Sequence, residues 1–456
     1  MKSFQLNLLA AAVSAFMLSA CGDAETTIVE QDPIEVPEDD HDHDDGYSIE
    51  SAGRLAILAS DSNEALIYDL DDNSLLGNFA LTYSSSSLSS SADFRYALIS
   101  TRAQDQIEFI DGGLWQEDHG DHLHAYQQAP TMSGYTLNGS RPTHLVKHDG
   151  KLAVFYDGNA ETGEVASVQV VTDTDIANQT QSLPVLNYSV NMHGVAEPSE
   201  DYLIASIRRD DSLSTSANKV LPDQVGVYHL HDGEYEHEHI FEQSCPDLHG
   251  AAQNEEYQVF GCSDGILVTQ QNGSEYNSAK IANISALDGL RVGSIYGHHE
   301  LESFIGVASV HGGGAAILVH INPHDNEMET IDWQPQTSAQ PLAYSFTADG
   351  EHFLILDNQG YLTLLSEHTH DDHSHWEFDS RIDISEQDIA NMPEGLSFSM
   401  TISQNDHIVY IADPIAQHIL QINLESGETT GEIELNFAPK AISWLGIAAS
   451  EDEHDH

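Results

Sequence analysis

Short β-type runs recur along this chain in a regular unit, and this repeat limits the possible folds more than any other feature. Each unit has a first strand, a tight turn rich in Gly, Asp or Asn, a very apolar second strand and, after another turn, an outer pair of strands. The unit recurs roughly every 40 to 55 residues, a period typical of β-propeller blades. No long 3.6-residue apolar period interrupts it. The repeat predicts an all-β fold, a β-propeller over residues 49–448.

The last strand of the repeat is expected to close the ring. The segment Lys440–Leu445 has no strands of its own after it, so we expect it to complete the sheet begun by Arg54–Ala59, which hides both sheet edges. With a further strand in the serine tract Ser84–Ser91, the repeat predicts eight blades of about 50 residues each. Because the serine tract has few distinguishing features, seven blades are the alternative.

The two ends of the chain differ from the repeat. Residues 1–21 have one early lysine and an apolar run, as in a secretory signal, and they end at Cys21 in a sequence that resembles the lipobox of bacterial lipoproteins. They predict a periplasmic protein with a lipid anchor in the outer membrane; a signal peptide with a chance cysteine is the alternative. Residues 22–48 form an acidic tether, expected to be disordered, and residues 449–456 an acidic tail with histidines.

The chain is strongly acidic. Its 75 Asp and Glu residues against 14 Lys and Arg residues give a formal net charge of -61. A field this negative excludes nucleic acid and anionic membrane surfaces as partners, leaving the lipid anchor as the only predicted membrane contact, and it attracts cations. A solvated acidic surface is also common in proteins from salty water, so the charge does not by itself indicate metal binding.

Histidine is abundant, with 27 residues, and most of them lie in acid-flanked clusters. Neutral imidazole beside carboxylate suits a borderline divalent metal, zinc above all. His144, His193 and His249 occupy matching positions in three successive first strands, which line the central channel of a propeller. We expect their rings to converge on one metal ion. The alternative is that individual members are hydrogen-bonded channel histidines without a metal role, and His298 has a similar place in the next unit.

A second histidine group lies in one outer loop, Asp118–His124. His122 and His124 point the same way on a continuing strand, and His119 returns across a glycine turn, so the three rings form a possible ligand set with Asp121 as a fourth ligand. The sequence does not decide which group is the tight site. The clusters within residues 229–239 and 368–375 are expected to be looser and more exposed.

Two cysteines remain once Cys21 is assigned to the lipid anchor. Cys245 and Cys262 flank a hairpin whose turn lies near Asn254-Glu255, so they can meet across one strand pair. An even pair in an oxidising compartment favours a disulfide over the alternative, a shared Cys/His metal site.

These motifs together resemble those of the AztD-like periplasmic zinc metallochaperones, a β-propeller family encoded with a zinc ABC importer. The resemblance covers about residues 50–448 and is carried by Asp118–His124, Arg141–His144 with His148–Gly150, His193-Gly194, Cys245–Gly250 with Gly261–Gly265, and His41–His43 in the tether. It implies that His148 joins the zinc ligands and that His41 and His43 assist transfer of zinc to the solute-binding protein of the importer. The family members are soluble, whereas Cys21 indicates a lipid anchor. An anchor in the outer membrane would restrict access to a partner at the inner membrane, and capture or storage in place of direct transfer is the alternative.

The sequence contains no catalytic signature: there is no Gly-x-Ser-x-Gly elbow, His-Glu-x-x-His helix, nucleotide-binding glycine loop or Cys-x-x-Cys motif. We therefore predict a non-enzymatic zinc metallochaperone that holds zinc and passes it to an importer's solute-binding protein. One alternative is a metal-dependent, lactonase-like propeller hydrolase in which an open zinc position activates water. Another is a zinc reservoir or interaction scaffold. The choice of zinc over nickel or copper is left open.

Overall fold

The computed structural model describes residues 49–84, 87–120, 122–208, 221–272, 275–309, 316–370 and 373–449. The predicted signal and tether, with Cys21, His41 and His43, lie outside these residues, as do Asp121 and nearly all of the tail. Regular structure in the described chain is almost entirely strand. Its α-helix is α1 (Asp173–Asn178), and 3-10 turns lie at Arg102–Gln104, Ser285–Leu287 and Ile389–Asn391. None of the helices described is long and apolar enough to cross a membrane.

The strands pair in antiparallel, four-stranded units that follow the chain order. The first sheet contains β1 (Arg54–Ala59), β2 (Glu64–Asp69) and β3 (Leu75–Ala80), together with the last strand of the chain, β34 (Pro439–Leu445). The second sheet contains β4 (Ser87–Ser90), β5 (Tyr96–Thr101), β6 (Gln106–Asp111) and β9 (Thr131–Asn138). A separate two-stranded ribbon, β7 (Leu114–Asp118) and β8 (Leu123–Gln127), is inserted between β6 and β9.

The third and fourth sheets are joined. The third contains β10 (Pro142–His148), β11 (Lys151–Tyr156), β12 (Ser167–Thr172) and β13 (Val185–Asn187). The fourth contains β14 (Ala196–Ser199), β15 (Tyr202–Ile207), β16 (Gln224–His231) and β17 (Glu234–Ile240). A parallel bridge between Val185 and Glu234 merges their outer edges into one eight-stranded sheet. This link was not predicted from the sequence.

The other four sheets are regular. The fifth and sixth contain β18 (Ala251–Gln253), β19 (Gln258–Cys262), β20 (Gly265–Asn272) and β21 (Glu275–Ala282), then β22 (Arg291–Tyr296), β23 (Phe304–Ser309), β24 (Ile317–Asn322) and β25 (Glu327–Ile331). The seventh and eighth contain β26 (Pro341–Phe346), β27 (His352–Asp357), β28 (Tyr361–His370) and β29 (His373–Asp383), then β30 (Ser399–Ile402), β31 (Ile408–Asp413), β32 (His418–Asn423) and β33 (Glu428–Glu434).

The C-terminal strand closes the ring. β34 pairs antiparallel with β1, with Ile442 opposite Ile57, so the first sheet is built from both ends of the described chain. The predicted all-β propeller with this closure is confirmed. The serine tract does supply a first strand, β4, and the described residues form eight four-stranded units, two of which are merged.

Runs of consecutive apolar residues within the strands, such as Leu55–Ala59, explain how the sheets stack. Because successive side chains point to opposite faces, Leu55 and Ile57 of β1 pack toward the eighth sheet, while Ala56 and Leu58 pack toward the second. A buried apolar cluster of this kind lies between each sheet and the next, and the cluster containing Trp444 joins the eighth sheet to the first. Full burial stabilises each Leu or Ile side chain by roughly 1.5–3 kcal/mol.

Candidate metal centre

Three of the predicted ligands come together where the first strands of the third, fourth and fifth sheets meet. His144 lies on β10, while His193 and His249 lie in the irregular segments directly before β14 and β18, not in the strands themselves. The ring centroids of His144 and His193 are 4.8 Å apart, those of His193 and His249 are 5.1 Å apart, and those of His144 and His249 are 6.1 Å apart. We call these residues the channel trio.

The spacing of the channel trio fits one tetrahedral ion. With a metal–nitrogen distance of about 2.0–2.1 Å, imidazole ring centres around a tetrahedral zinc lie about 5 Å apart. The three observed separations bracket this value. The Nε2 atoms of His144 and His193 are 3.1 Å apart and share a hydrogen bond, so this contact must open by a few tenths of an ångström when an ion enters between them.

Two of the three rings are oriented by hydrogen bonds from their Nδ1 atoms. His193 Nδ1 lies 3.2 Å from Asp157 Oδ2, and His249 Nδ1 lies 2.9 Å from the carbonyl oxygen of Gly293. Both acceptors lack a hydrogen, so each Nδ1 of these rings must donate. In the neutral ring the proton is then on Nδ1, and Nε2 keeps the lone pair that a metal requires.

The carboxylate behind His193 is itself held by an arginine. Arg102 Nη2 donates to the same Oδ2 of Asp157 over 2.8 Å, and Arg102 Nε donates to Thr143 Oγ1 over 3.0 Å. Burial alone would raise the pKa of Asp157, but the hydrogen bonds and charges of His193 and Arg102 outweigh it and the pKa lies below its ordinary value. Asp157 is therefore an anion that orients His193. Arg102 bonds both Asp157 and Thr143, the residue preceding His144.

The third ring is kept neutral by its surroundings. Desolvation, followed by the neighbouring rings of His193 and His249, lowers the pKa of His144 to about 4. Protons therefore compete with a metal for His144 only in strongly acidic solution.

Glycine follows two of the trio residues because the backbone passes close to other atoms there. A Cβ on Gly194 would lie 2.4 Å from Ser206 Oγ and 2.6 Å from a ring carbon of Phe155. A Cβ on Gly250 would lie 2.8 Å from the backbone oxygen of Gly293, the group that receives the hydrogen bond from His249. Glycine after each of these histidines therefore allows the backbone to pass close to neighbouring atoms, which positions the imidazole in the channel.

The second predicted group also comes together, on the ribbon of the second sheet. His119 and His122 lie in the turn between β7 and β8, and His124 lies on β8; the three ring centroids are 5.5, 5.6 and 6.3 Å apart. The turn is closed by a hydrogen bond from the His119 amide to the His122 carbonyl over 3.0 Å. We call these residues the loop trio. The His119 side chain is 42% exposed, so this group is open to solvent.

Two rings of the loop trio contact the side chain of Tyr126. The ring of His124 stacks on Tyr126 at 5.0 Å, and His119 Nε2 lies 3.4 Å from the Tyr126 hydroxyl. Asp121, the predicted fourth ligand, is outside the described residues and its role stays a prediction.

Two further histidines lie apart from the channel trio. His148, expected among its ligands, is at the far end of β10, four residues or about 13 Å along the strand from His144. There it faces Asp149 at 3.3 Å. His298 follows β22, and its Nε2 contacts the carbonyl of Ala348 at 3.1 Å. The sequence position of His298 resembles those of the trio, but His298 does not join them. It lies after the end of its strand, β22, whereas His193 and His249 lie before the start of theirs.

The cysteine pair forms a disulfide. The Sγ atoms of Cys245 and Cys262 are 2.08 Å apart, and both residues are fully buried in the apolar cluster between the fourth and fifth sheets. This pairing agrees with the disulfide that the sequence favoured over a shared Cys/His metal site. The bond fastens the segment that leads to His249 onto β19.

Known proteins are similar to this chain in both sequence and fold. The chain is 24% identical over 363 residues to the zinc chaperone AztD of Citrobacter koseri, and the alignment covers 77% of this chain and 77% of that protein. The chain is AztD-like. Two solved structures of AztD, one of them the apo form, match it with a TM-score of 0.69 at 20% identity, covering 87% of this chain and 98% of theirs. The resemblance predicted from the sequence is thereby confirmed.

A more distant likeness concerns the fold alone. The dihydro-heme d1 dehydrogenase NirN matches with a TM-score of 0.53 at 12% identity, covering 88% of this chain and 76% of that one. No protein-family model matches the chain.

Proposed function

We propose that this protein is a zinc metallochaperone whose channel trio holds zinc as cargo. The observation that supports this most directly is the convergence of three imidazoles from three sheets, His144, His193 and His249, at the spacing that a tetrahedral ion requires. The likeness to the zinc chaperone AztD in sequence and fold supports the same function.

The arrangement suits binding that must be reversed. Three protein ligands leave a fourth tetrahedral position for water or for a ligand of an acceptor. Hydrogen bonds from Nδ1 to Asp157 and to the carbonyl of Gly293 orient His193 and His249. Their Nε2 atoms are therefore positioned to bind zinc before the ion arrives. A ligand of an acceptor that enters the fourth position can then displace the imidazoles one at a time, which avoids release of free ion.

The loop trio is proposed as a second, more exposed zinc site. Its rings are brought together by a turn between two strands that belong to none of the four-stranded sheets, and the His119 side chain is 42% exposed. A solvent-exposed set of imidazoles exchanges metal more readily than an enclosed one. We assign it to initial capture of zinc or to contact with an acceptor, with Asp121 as the fourth ligand.

The partner, the location and the role of the tether complete the proposal. The acceptor is the solute-binding protein of a zinc ABC importer, and the protein works in the periplasm, lipidated at Cys21. His41 and His43 on the tether assist transfer. No residue is assigned to catalysis.

Replacement of one trio ligand tests this function. We expect His193→Ala to weaken the tightest zinc site roughly a hundredfold or more in a competition titration with a chromophoric chelator, and to abolish transfer to the solute-binding protein in the presence of that chelator. The matched control is His320→Ala, because His320 is also buried and paired with a carboxylate, Glu329 at 3.5 Å, but lies outside the channel. Equal affinities and equal transfer for the two variants would contradict the proposal.

A further inference from the structure

We propose that His148, Asp149 and Glu255 hold a divalent cation at the mouth of the central cavity, apart from both histidine trios, with the side-chain carbonyl of Gln253 as a further ligand. This site is separate from the channel trio and goes beyond the function proposed above, because it does not depend on zinc binding by the trio. We call it the mouth site.

The donors of the mouth site already lie close together. One ligand atom from each of His148, Asp149 and Glu255 can be chosen so that all three lie within 4.8 Å of one another. They come from two sheets that are not neighbours, since His148 and Asp149 end the first strand of the third sheet and Glu255 ends that of the fifth. The His148 side chain is only 14% exposed, so its ring lies largely buried in the cavity wall.

A residue with a buried, unpartnered amide oxygen lines the same cavity. Gln253 is 9% exposed, and it lines one cavity of about 430 Å³ together with His148, Asp149 and Glu255. Its Nε2 donates to the carbonyl of Pro198 over 2.9 Å, but its Oε1 has no hydrogen-bond partner among the described residues. A buried carbonyl oxygen without a donor is costly unless a cation or a water molecule meets it.

The donor types define the ligand class. Two carboxylates balance the charge of a divalent cation. Together with one imidazole and an amide oxygen they form a harder donor set than three imidazoles. Lys147 also lines the cavity, but its ammonium group bonds Ser90 Oγ at 2.8 Å and lies 4.5 Å from the ring centroid of Phe94. Because Asp149 is 58% exposed, we expect zinc to bind here more weakly than at the trio.

Counting bound zinc by equilibrium dialysis tests the mouth site. The variant Asp149→Asn with Glu255→Gln removes both carboxylates, and asparagine is well suited to the positive φ of 44° at position 149. The matched control, Asp61→Asn with Glu275→Gln, removes the same charge from two exposed positions elsewhere. We expect the mouth variant to bind one zinc fewer than the control at saturating metal, with the affinity of the tightest site changed less than threefold.

Equal zinc counts in the mouth variant and its control would overturn the proposal. A third variant, with His144, His193 and His249 all replaced by alanine, separates the mouth site from the proposed function of the channel trio. If that variant keeps the tightest zinc while the mouth variant loses one equivalent, the mouth site stands and the proposed function of the trio fails. If it loses the tightest zinc and keeps the weaker one removed in the mouth variant, both stand.

Discussion

Replacing Asp157 by asparagine should weaken zinc binding at the channel trio without touching a metal ligand. Asp157 is 2% exposed and receives hydrogen bonds from His193 Nδ1 at 3.2 Å and from Arg102 Nη2 at 2.8 Å. Asparagine keeps the shape but removes the negative charge that makes His193 a better ligand. Its amide nitrogen can also donate to Nδ1, which moves the ring proton to Nε2, the atom that must bind zinc.

The size of the effect follows from the number of rings involved. Asp157 orients one of three imidazoles, while His249 keeps its own hydrogen bond to the carbonyl of Gly293. Loss of a carboxylate behind a ligating histidine typically reduces metal affinity 10- to 100-fold, or about 1.4–2.8 kcal/mol. Arg102 is 42% exposed and can turn to solvent, so we expect folding to be less affected than zinc binding.

A chelator competition titration at constant pH measures this loss. The matched control is Asp111→Asn, because Asp111 is also a buried partner of an arginine, Arg95 at 2.7 Å, but contacts no trio residue. We expect Asp111→Asn to lower the unfolding temperature while leaving zinc affinity within twofold of the unmodified protein. An affinity of the Asp157→Asn variant that equals that of the control would refute the orienting role of this carboxylate.

Three further predictions concern the rest of the molecule. Alanine at all three loop-trio positions should remove one weakly held zinc in dialysis and leave the tightest site intact; a tenfold loss at the tightest site would show that the trios were assigned in the wrong order. Burial raises the pKa of Glu197 to about 8, well above its unfolded value, so the stability from its bound proton is complete below about pH 4.5 and is lost as the pH rises through 8. Glu197→Gln should therefore stabilise the protein by roughly 3 kcal/mol more at pH 8 than at pH 5 in urea unfolding, and a pH-independent difference would contradict this. Alanine at both Cys245 and Cys262, which close a loop with a separation of 17 residues, should cost about 3 kcal/mol of unfolding free energy, and a change below about 1 kcal/mol would argue against it.

The sequence predicted the features that depend on repetition. Apolar runs such as Leu55–Ala59 are buried on both faces because each sheet packs between two others. A continuous apolar run in the sequence therefore indicates a stack of sheets. Matching positions in successive repeats brought His144, His193 and His249 together, since equivalent points of neighbouring units converge toward the centre of a ring.

Features that arise from a single unit were missed. Asp157 follows the second strand of its sheet, and buried aspartates occupy the same place at Asp357 and Asp413, where they accept hydrogen bonds from the amides of the following turn. The recurrence of aspartate after the second strand could have indicated from the sequence that this residue stabilises the turn. Only the three-dimensional arrangement shows that in the third sheet the same carboxylate turns instead to His193.

The position of His148 shows the same limit of sequence reasoning. It lies four residues after His144 on one strand, and the resemblance grouped the two, but the extended backbone carries it to the cavity rim. Its neighbour there, Glu255, comes from a sheet two units further along the chain, a proximity that no local spacing encodes.

Anomalous diffraction at the zinc edge, from crystals grown with zinc, locates the bound ion and so decides whether the channel trio is the zinc site. We predict a peak about 2.0–2.1 Å from an imidazole nitrogen of each of His144, His193 and His249, with Nδ1 of His193 still bonded to Asp157. Zinc density confined to the loop trio or to the cavity mouth, with no peak between the three channel rings, would contradict this assignment.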